Sequence, residues 1–267
     1  MDSFDIKSLP APLRAVAIIV QRFWFAWCCL ATMLIGVVAL VCYIFIFNFT
    51  KPQNAKRYAF YVTKYWGKAL LALMLVRVTS EGEDNLCLEG GSYIIVSNHA
   101  SIVDVPLCMA TSPIQFSFLA KQEVDRLPII GFLARNMHVY VDRKCQESRR
   151  QTFGRMKAHI EDGHSIHIYA EGTRNRTDEL LQGFYNGAFK LAIDTQHPIA
   201  VMTICGSEKA SDPRDPFLAC PASVHCIWDE PISTVGMTVE KDMKRLKTMV
   251  RDRILYNLEY YHAEYRV

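Results

Sequence analysis

"SYIIVSNHASIVDVP", residues 92–106, decides how this chain is to be read. An apolar run rich in β-branched residues closes on Asn98-His99, and Asp104 follows His99 at a distance of five residues. The run reads as a buried strand, and Pro106 marks the first turn of a following helix, where proline is tolerated. On one continuous helix, five residues turn through about 500° and leave the two side chains about 140° apart. His99 and Asp104 therefore meet only if the histidine ends the strand, the aspartate opens the helix, and the chain reverses between them. The C-terminal ends of parallel strands are where α/β sheets place ligands. There a neutral His99 takes a proton from an alcohol, while Asp104 fixes its tautomer and stabilises the imidazolium. The plainer reading is that Asp104 only caps a helix and His99 only follows a strand.

Outward from this stretch, strands and helices alternate. Residues 114–120 ("IQFSFLA"), 137–143 ("MHVYVDR"), 165–171 ("SIHIYAE"), 199–205 ("IAVMTIC") and 222–228 ("ASVHCIW") read as strands. Residues 146–162, with Phe153, Met156 and Ile160 on one side, read as a helix, as do 187–194 and about 238–261. The expected fold is α/β, a mainly parallel mixed sheet flanked by helices. A second constellation, "YAEGTRNR" (169–176), also closes a buried strand. Gly172 admits close backbone approach, Arg174 offers a planar fork of donors suited to phosphate, and Glu171 is placed to orient that arginine. An ordinary turn with a surface ion pair is the alternative. Arg143 and Lys121 end two further strands. A His-Asp pair with three cations at strand ends points to a phosphate-binding, alcohol-activating site. The polar loop "GSEKASDPRDP" (206–216) is a candidate for specificity.

Charge divides the chain. Between Ile6 and Ser80 there are nine Lys and Arg and no Asp or Glu, whereas residues 81–267 hold 21 basic against 25 acidic. The positive excess lies in the N-terminal arm and not on the folded body, which argues against nucleic acid as a partner. Mixed with Trp, Tyr and Phe, it argues for an anionic membrane surface. Residues 23–47 carry no charge and are long enough to cross a bilayer core of roughly 30 Å. They lack the short apolar region and small-residue cleavage site of a signal peptide. Residues 55–78 read as a second helix, with Arg57, Lys64 and Lys68 on one stripe, suited to the membrane interface or to the second limb of a hairpin. If the first helix spans the bilayer, and does not merely dip into one leaflet, the positive charges after it put residues 51 onward in the cytoplasm. A buried core helix in a soluble protein is the competing reading. The chain's nine cysteines, without CxxC pairs, indicate neither a disulfide framework nor structural zinc.

Together the blocks resemble the glycerolipid acyltransferases, and among them the 1-acylglycerol-3-phosphate acyltransferases. "NHASIVD" resembles the family's NHxxxxD block, "MHVYVDR" its GxxFIxR block, "AEGTR" its FPEGTR block and "HPIAVMTI" (197–204) its VPIVPV block. "ASVHCIWDEPIST" is similar to a late family strand. The resemblance implies a division into membrane-associated N-terminal helices (1–80) and an acyltransferase domain (81–267). It also implies that His99, supported by Asp104, is the general base on the free hydroxyl of lysophosphatidic acid or a related lyso-lipid. The acyl donor would be acyl-CoA or acyl-carrier protein, a co-substrate, with no cofactor and no metal. Lys121, Arg143 and Arg174 would hold the acceptor phosphate, and Glu171, Gly172 and Thr173 would shape its site. Met137, Ala170 and Asn186 depart from the family's usual glycine, proline and lysine, which leaves open another acceptor such as lyso-ornithine lipid. A lipid-binding scaffold without activity and a thioesterase are the remaining readings.

Overall fold

The computed structural model describes residues 10–87, 91–121, 131–132, 139–141, 146–215 and 217–264. It opens with α1 (Ala11–Phe49), an almost wholly apolar helix with Pro12 in its first turn, where a missing N–H costs nothing. Thr50 adopts an extended conformation and ends it, and Pro52 starts α2 (Pro52–Leu73) at once. The two helices run antiparallel. Tyr43 donates to Thr63 Oγ1 at 2.8 Å, and Trp27 Nε1 donates to the Leu73 carbonyl at 3.2 Å. Along α1, Phe23, Val38, Phe45 and Phe49 point outward and are more than 60% exposed, an apolar face too long for a water-facing surface. By length and composition α1 qualifies as a membrane span, with a mean hydropathy of 2.7 over its best window.

The expected second helix stops earlier than its apolar pattern suggests. Met74 and Leu75 form a turn, Leu75 with φ of 51°, and β1 (Val76–Glu81) follows. The β-branched Val76, Val78 and Thr79 outweigh helical continuity because β1 gains a full parallel ladder with β7 (Ala222–Trp228). This sheet strand therefore lies across the boundary placed at residues 80 and 81.

The other strands are β2 (Ile94–Ser97), β3 (Phe116–Lys121), β4 (Val139–Val141), β5 (Ser165–Tyr169) and β6 (Ile199–Cys205). Their order in the seven-stranded sheet is β1-β7-β6-β2-β5-β3-β4. Among the described strands only the β6–β7 ladder is antiparallel, so the sheet is mixed and mainly parallel, and its central strand is β2. Period-two alternation sorts β2 between two layers. Ile95 faces α1, α2 and α3 (Asp104–Thr111), while Ile94 and Val96 face α4 (Gln146–Glu161), α5 (Gly187–Thr195) and α6 (Val239–Glu264). On α6, Leu246, Val250, Ile254 and Leu258 recur every four residues and are all buried against this second layer.

The hairpin reaches the sheet through one close approach. A Cβ on Gly67 of α2 would sit 3.0 Å from the Pro106 carbonyl oxygen and 3.4 Å from Met109 Cβ, both on α3. Absence of a side chain lets α2 lie on the helix that begins with Asp104. A bulky replacement, Gly67→Leu, is expected to cost about 1–3 kcal/mol by overpacking. Thermal unfolding in detergent measures this; an unchanged midpoint contradicts the close packing.

Candidate active site

β2 ends at Ser97, the chain turns through Asn98–Val103, and α3 begins at Asp104. The reversal brings the predicted pair together, with His99 Nδ1 2.8 Å from Asp104 Oδ2. The same oxygen accepts the backbone N–H groups of Ala100 and Ser101, each at 2.8 Å. Asp104 is fully buried, so its carboxyl group depends on those donors to offset its desolvation. An acceptor already engaged by two amides receives a proton from the imidazole and does not donate one. Nδ1 therefore carries the hydrogen, and Nε2 keeps the lone pair. The His99 side chain is 15% exposed, buried enough to be held and open enough to be reached.

Both backbone groups of His99 are held by the second constellation. Its N–H donates to Glu171 Oε1 at 2.8 Å, and its carbonyl accepts the Asn175 N–H at 2.7 Å. Glu171 Oε2 takes the Gln182 N–H at 2.9 Å. The carboxylate thus positions the histidine turn and not Arg174, which corrects the role expected for it. Burial raises the Glu171 carboxyl above its ordinary range, opposed by these two amides. Gly172 has φ of 71°, the left-handed conformation that lets the 170–175 turn close beside His99. Thr173 is exposed at its tip. Arg174 is half-buried, with Nη1 buried and lacking a hydrogen-bond partner, while its carbonyl accepts from Gln182 Nε2 at 3.2 Å. A guanidinium nitrogen left in this condition by the protein is suited to an anionic substrate group.

Lys121 ends β3 at the same C-terminal edge of the sheet; its side chain and all of Arg143 lie outside the described residues, as does Met137. Ala170 is buried at the end of β5. Asn186 precedes α5, where its side chain accepts from Lys247 Nζ of α6 at 2.9 Å. That contact belongs to the helix layer opposite His99, because the neighbouring Phe184 and Phe189 lie in the second core. The polar loop reaches the site through Ser211, whose carbonyl accepts from Ser101 Oγ at 2.8 Å. Arg214 in that loop pairs with Asp178 across it at 2.9 Å.

Three contributors were not singled out from sequence. Asn98 clamps β6 in both directions, donating to the Ile204 carbonyl and accepting its N–H, each at 2.8 Å. Its position just before the histidine was the available signal. Tyr169 stacks on the His99 ring with centroids 3.9 Å apart and planes 14° from parallel. His167 lies beneath, with Nε2 3.0 Å from Ser97 Oγ and its ring edge-on to Tyr169. Alternation along β5 places both under the site, but nothing in sequence ties that strand's face to β2. Among the described residues, no three His, Cys, Asp or Glu side chains are grouped to hold a metal.

Comparison with known proteins matches residues 77–205 to the acyltransferase family model. The matched stretch is just under half of the chain. The chain resembles the 1-acyl-sn-glycerol-3-phosphate acyltransferase of Limnanthes douglasii, 31% identical over 62% of this chain and 58% of that one. The protein of the same name from Borreliella burgdorferi is 26% identical over 76% of this chain and 80% of its own. The crystal structure of the 1-acyl-sn-glycerophosphate (LPA) acyltransferase PlsC from Thermotoga maritima shares the fold. Its TM-score is 0.77 at 20% identity, over 93% of this chain and 98% of that one. The chain spans 49% to 58% of the length of the plant relatives it matches.

The buried histidine below the candidate site makes a pH prediction. Burial, and secondarily a positive His99, push His167 from 6.5 to about 3. Its folded pKa is depressed, so the unfolded chain takes the proton first as pH falls below 6.5. The stability cost then grows by about 1.4 kcal/mol per pH unit until the folded value is reached. Between pH 7 and 5, chemical unfolding of His167→Gln is expected to lose about 1–2 kcal/mol less than the parent. Equal losses contradict the assignment.

Proposed function

We propose that this chain is a membrane-bound 1-acylglycerol-3-phosphate O-acyltransferase that makes phosphatidic acid. The observation that carries the reading is the 2.8 Å His99–Asp104 contact, which leaves Nε2 unprotonated at the C-terminal edge of an acyltransferase-family sheet. Nε2 takes the proton from the sn-2 hydroxyl as its oxygen attacks the carbonyl carbon of a thioester. The C–S bond breaks on collapse of the tetrahedral adduct, and the thiolate leaves with the proton returned by His99. Asp104 stabilises the transient imidazolium without taking its proton. The acyl group passes directly, with no acyl-enzyme. The donor is acyl-CoA or acyl-carrier protein.

Arg174 supports a phosphate-bearing acceptor through its unpartnered Nη1, in the turn already tied to His99 by Glu171 and Asn175. Lys121 and Arg143 complete the anion site in this reading, and Gly172 and Thr173 shape it. The departure at Asn186 does not weaken it, since that side chain is engaged with Lys247 in the far layer. α1 embeds in the membrane, and the positive residues after it keep the catalytic domain on the cytoplasmic side.

Purified protein in lipid nanodiscs, given acyl-CoA or acyl-carrier protein and a panel of lyso-lipids, tests this by mass spectrometry. Phosphatidic acid is expected to dominate, and His99→Ala is expected to lower its formation by at least about 1,000-fold while membrane association persists. Product mainly from another lyso-lipid reassigns the acceptor. Free fatty acid without acceptor indicates a thioesterase. Undiminished turnover in His99→Ala contradicts the mechanism, and no acyl transfer by folded protein favours a scaffold.

A further inference from the structure

The opposite end of the sheet carries a small cavity with several polar groups in its lining. β3 and β5 begin at Phe116 and Ser165, so their N-terminal ends lie a strand length from the edge that holds His99. There Lys56, Gln115, Ser117, His159, His164 and Ser165 line a cavity of about 80 Å³. That is room for a few waters or one small polyatomic anion, and well below the several hundred Å³ usual for organic ligands.

Among the described residues no carboxylate lines this cavity, and Asp162 acts on it only from outside the lining. Lys56 Nζ lies 3.5 Å from His164 Nε2, and His159 Nε2 lies 2.9 Å from Ser117 Oγ. The two imidazole rings are 4.9 Å apart between centroids. Among the described residues Lys56 makes no ion pair with a carboxylate. The charged groups that act on the histidines are Lys56 from α2 and, in opposition, Asp162 from the turn after α4. Burial, then His164, then Lys56 push His159 down to about 4; burial and Lys56 lower His164. An anion in the void accepts from the Lys56 ammonium, and from the two imidazoles once they protonate, which relieves this crowding. A phosphate group has the size, the charge and the number of acceptors.

We propose that this cavity is a phosphate-binding site, separate from the His99 site, that takes the phosphate of an anionic lipid head or of a free phosphoester. The place of Lys56 brings the lipid within reach. It lies in the second turn of α2, just across the hairpin from Phe49, which is 73% exposed at the end of the apolar helix. A bilayer that holds α1 presents its head groups to that turn.

Histidine Cε1–H NMR titration of the full chain tests the site, first in phosphatidylcholine nanodiscs with added inorganic phosphate, then in nanodiscs containing phosphatidic acid. His197 serves as internal reference. Phosphate in the cavity is expected to raise the titration midpoints of His159 and His164 by about one unit. Lys56→Met is expected to weaken the effect by about tenfold. A Lys56-dependent shift with inorganic phosphate supports the site with a free anion as ligand. A Lys56-dependent shift only with phosphatidic acid supports it with a lipid head as ligand. No shift with either probe, an equal shift at His197, or an unchanged response in Lys56→Met overturns the proposal.

Discussion

One buried carboxylate oxygen organises the site. Asp104 Oδ2 gathers the His99 imidazole and two backbone amides at 2.8 Å each. Removing a fully buried carboxylate from water is costly, and these three donors are what offset that cost. The turn between β2 and α3 is therefore held by the same buried carboxylate that orients His99. Orientation of His99 and closure of the turn are the same constraint seen from two ends. Glu171 adds a second carboxylate clamp, fastening the neighbouring strand end to the His99 backbone.

This constraint links the N-terminal hairpin to the candidate site. Asp104 is the first residue of α3, α3 lies against α2 at Gly67, and α2 is the antiparallel partner of α1. A helix with an exposed apolar face is thus two packed contacts away from the histidine. Under the proposed function, in which acceptor and product are both lipids, this arrangement carries the site to the surface where they would reside. It also makes the hairpin part of the core: Leu71 and Met74 pack in the same cluster as Ile95, Leu107 and Met202.

Much of this was legible from sequence, for identifiable reasons. Apolar β-branched runs marked β2 and β6, since buried parallel strands need both faces apolar. Pro106 and the incompatibility of five helical steps with contact located the reversal between His99 and Asp104. What could not be read depended on pairing between distant segments. β1 looked like the end of a helix because its partner β7 lies some 150 residues on, and only that ladder makes Val76–Glu81 a strand. Glu171 looked like a partner for Arg174, its near neighbour, whereas its hydrogen bonds go to His99 and Gln182. The stack of Tyr169 on His99 needs the β2–β5 register, which no local pattern encodes.

The central claim is that Asp104 fixes the Nδ1–H form of His99 and leaves Nε2 as the proton acceptor. Nitrogen-15 NMR of histidine-labelled protein, at a pH where the ring is neutral, reads the tautomer directly. The account predicts a protonated Nδ1 and an unprotonated Nε2 for His99, with that preference lost in Asp104→Ala. An Nε2–H tautomer in the parent protein, or the same spectrum in both proteins, would contradict it.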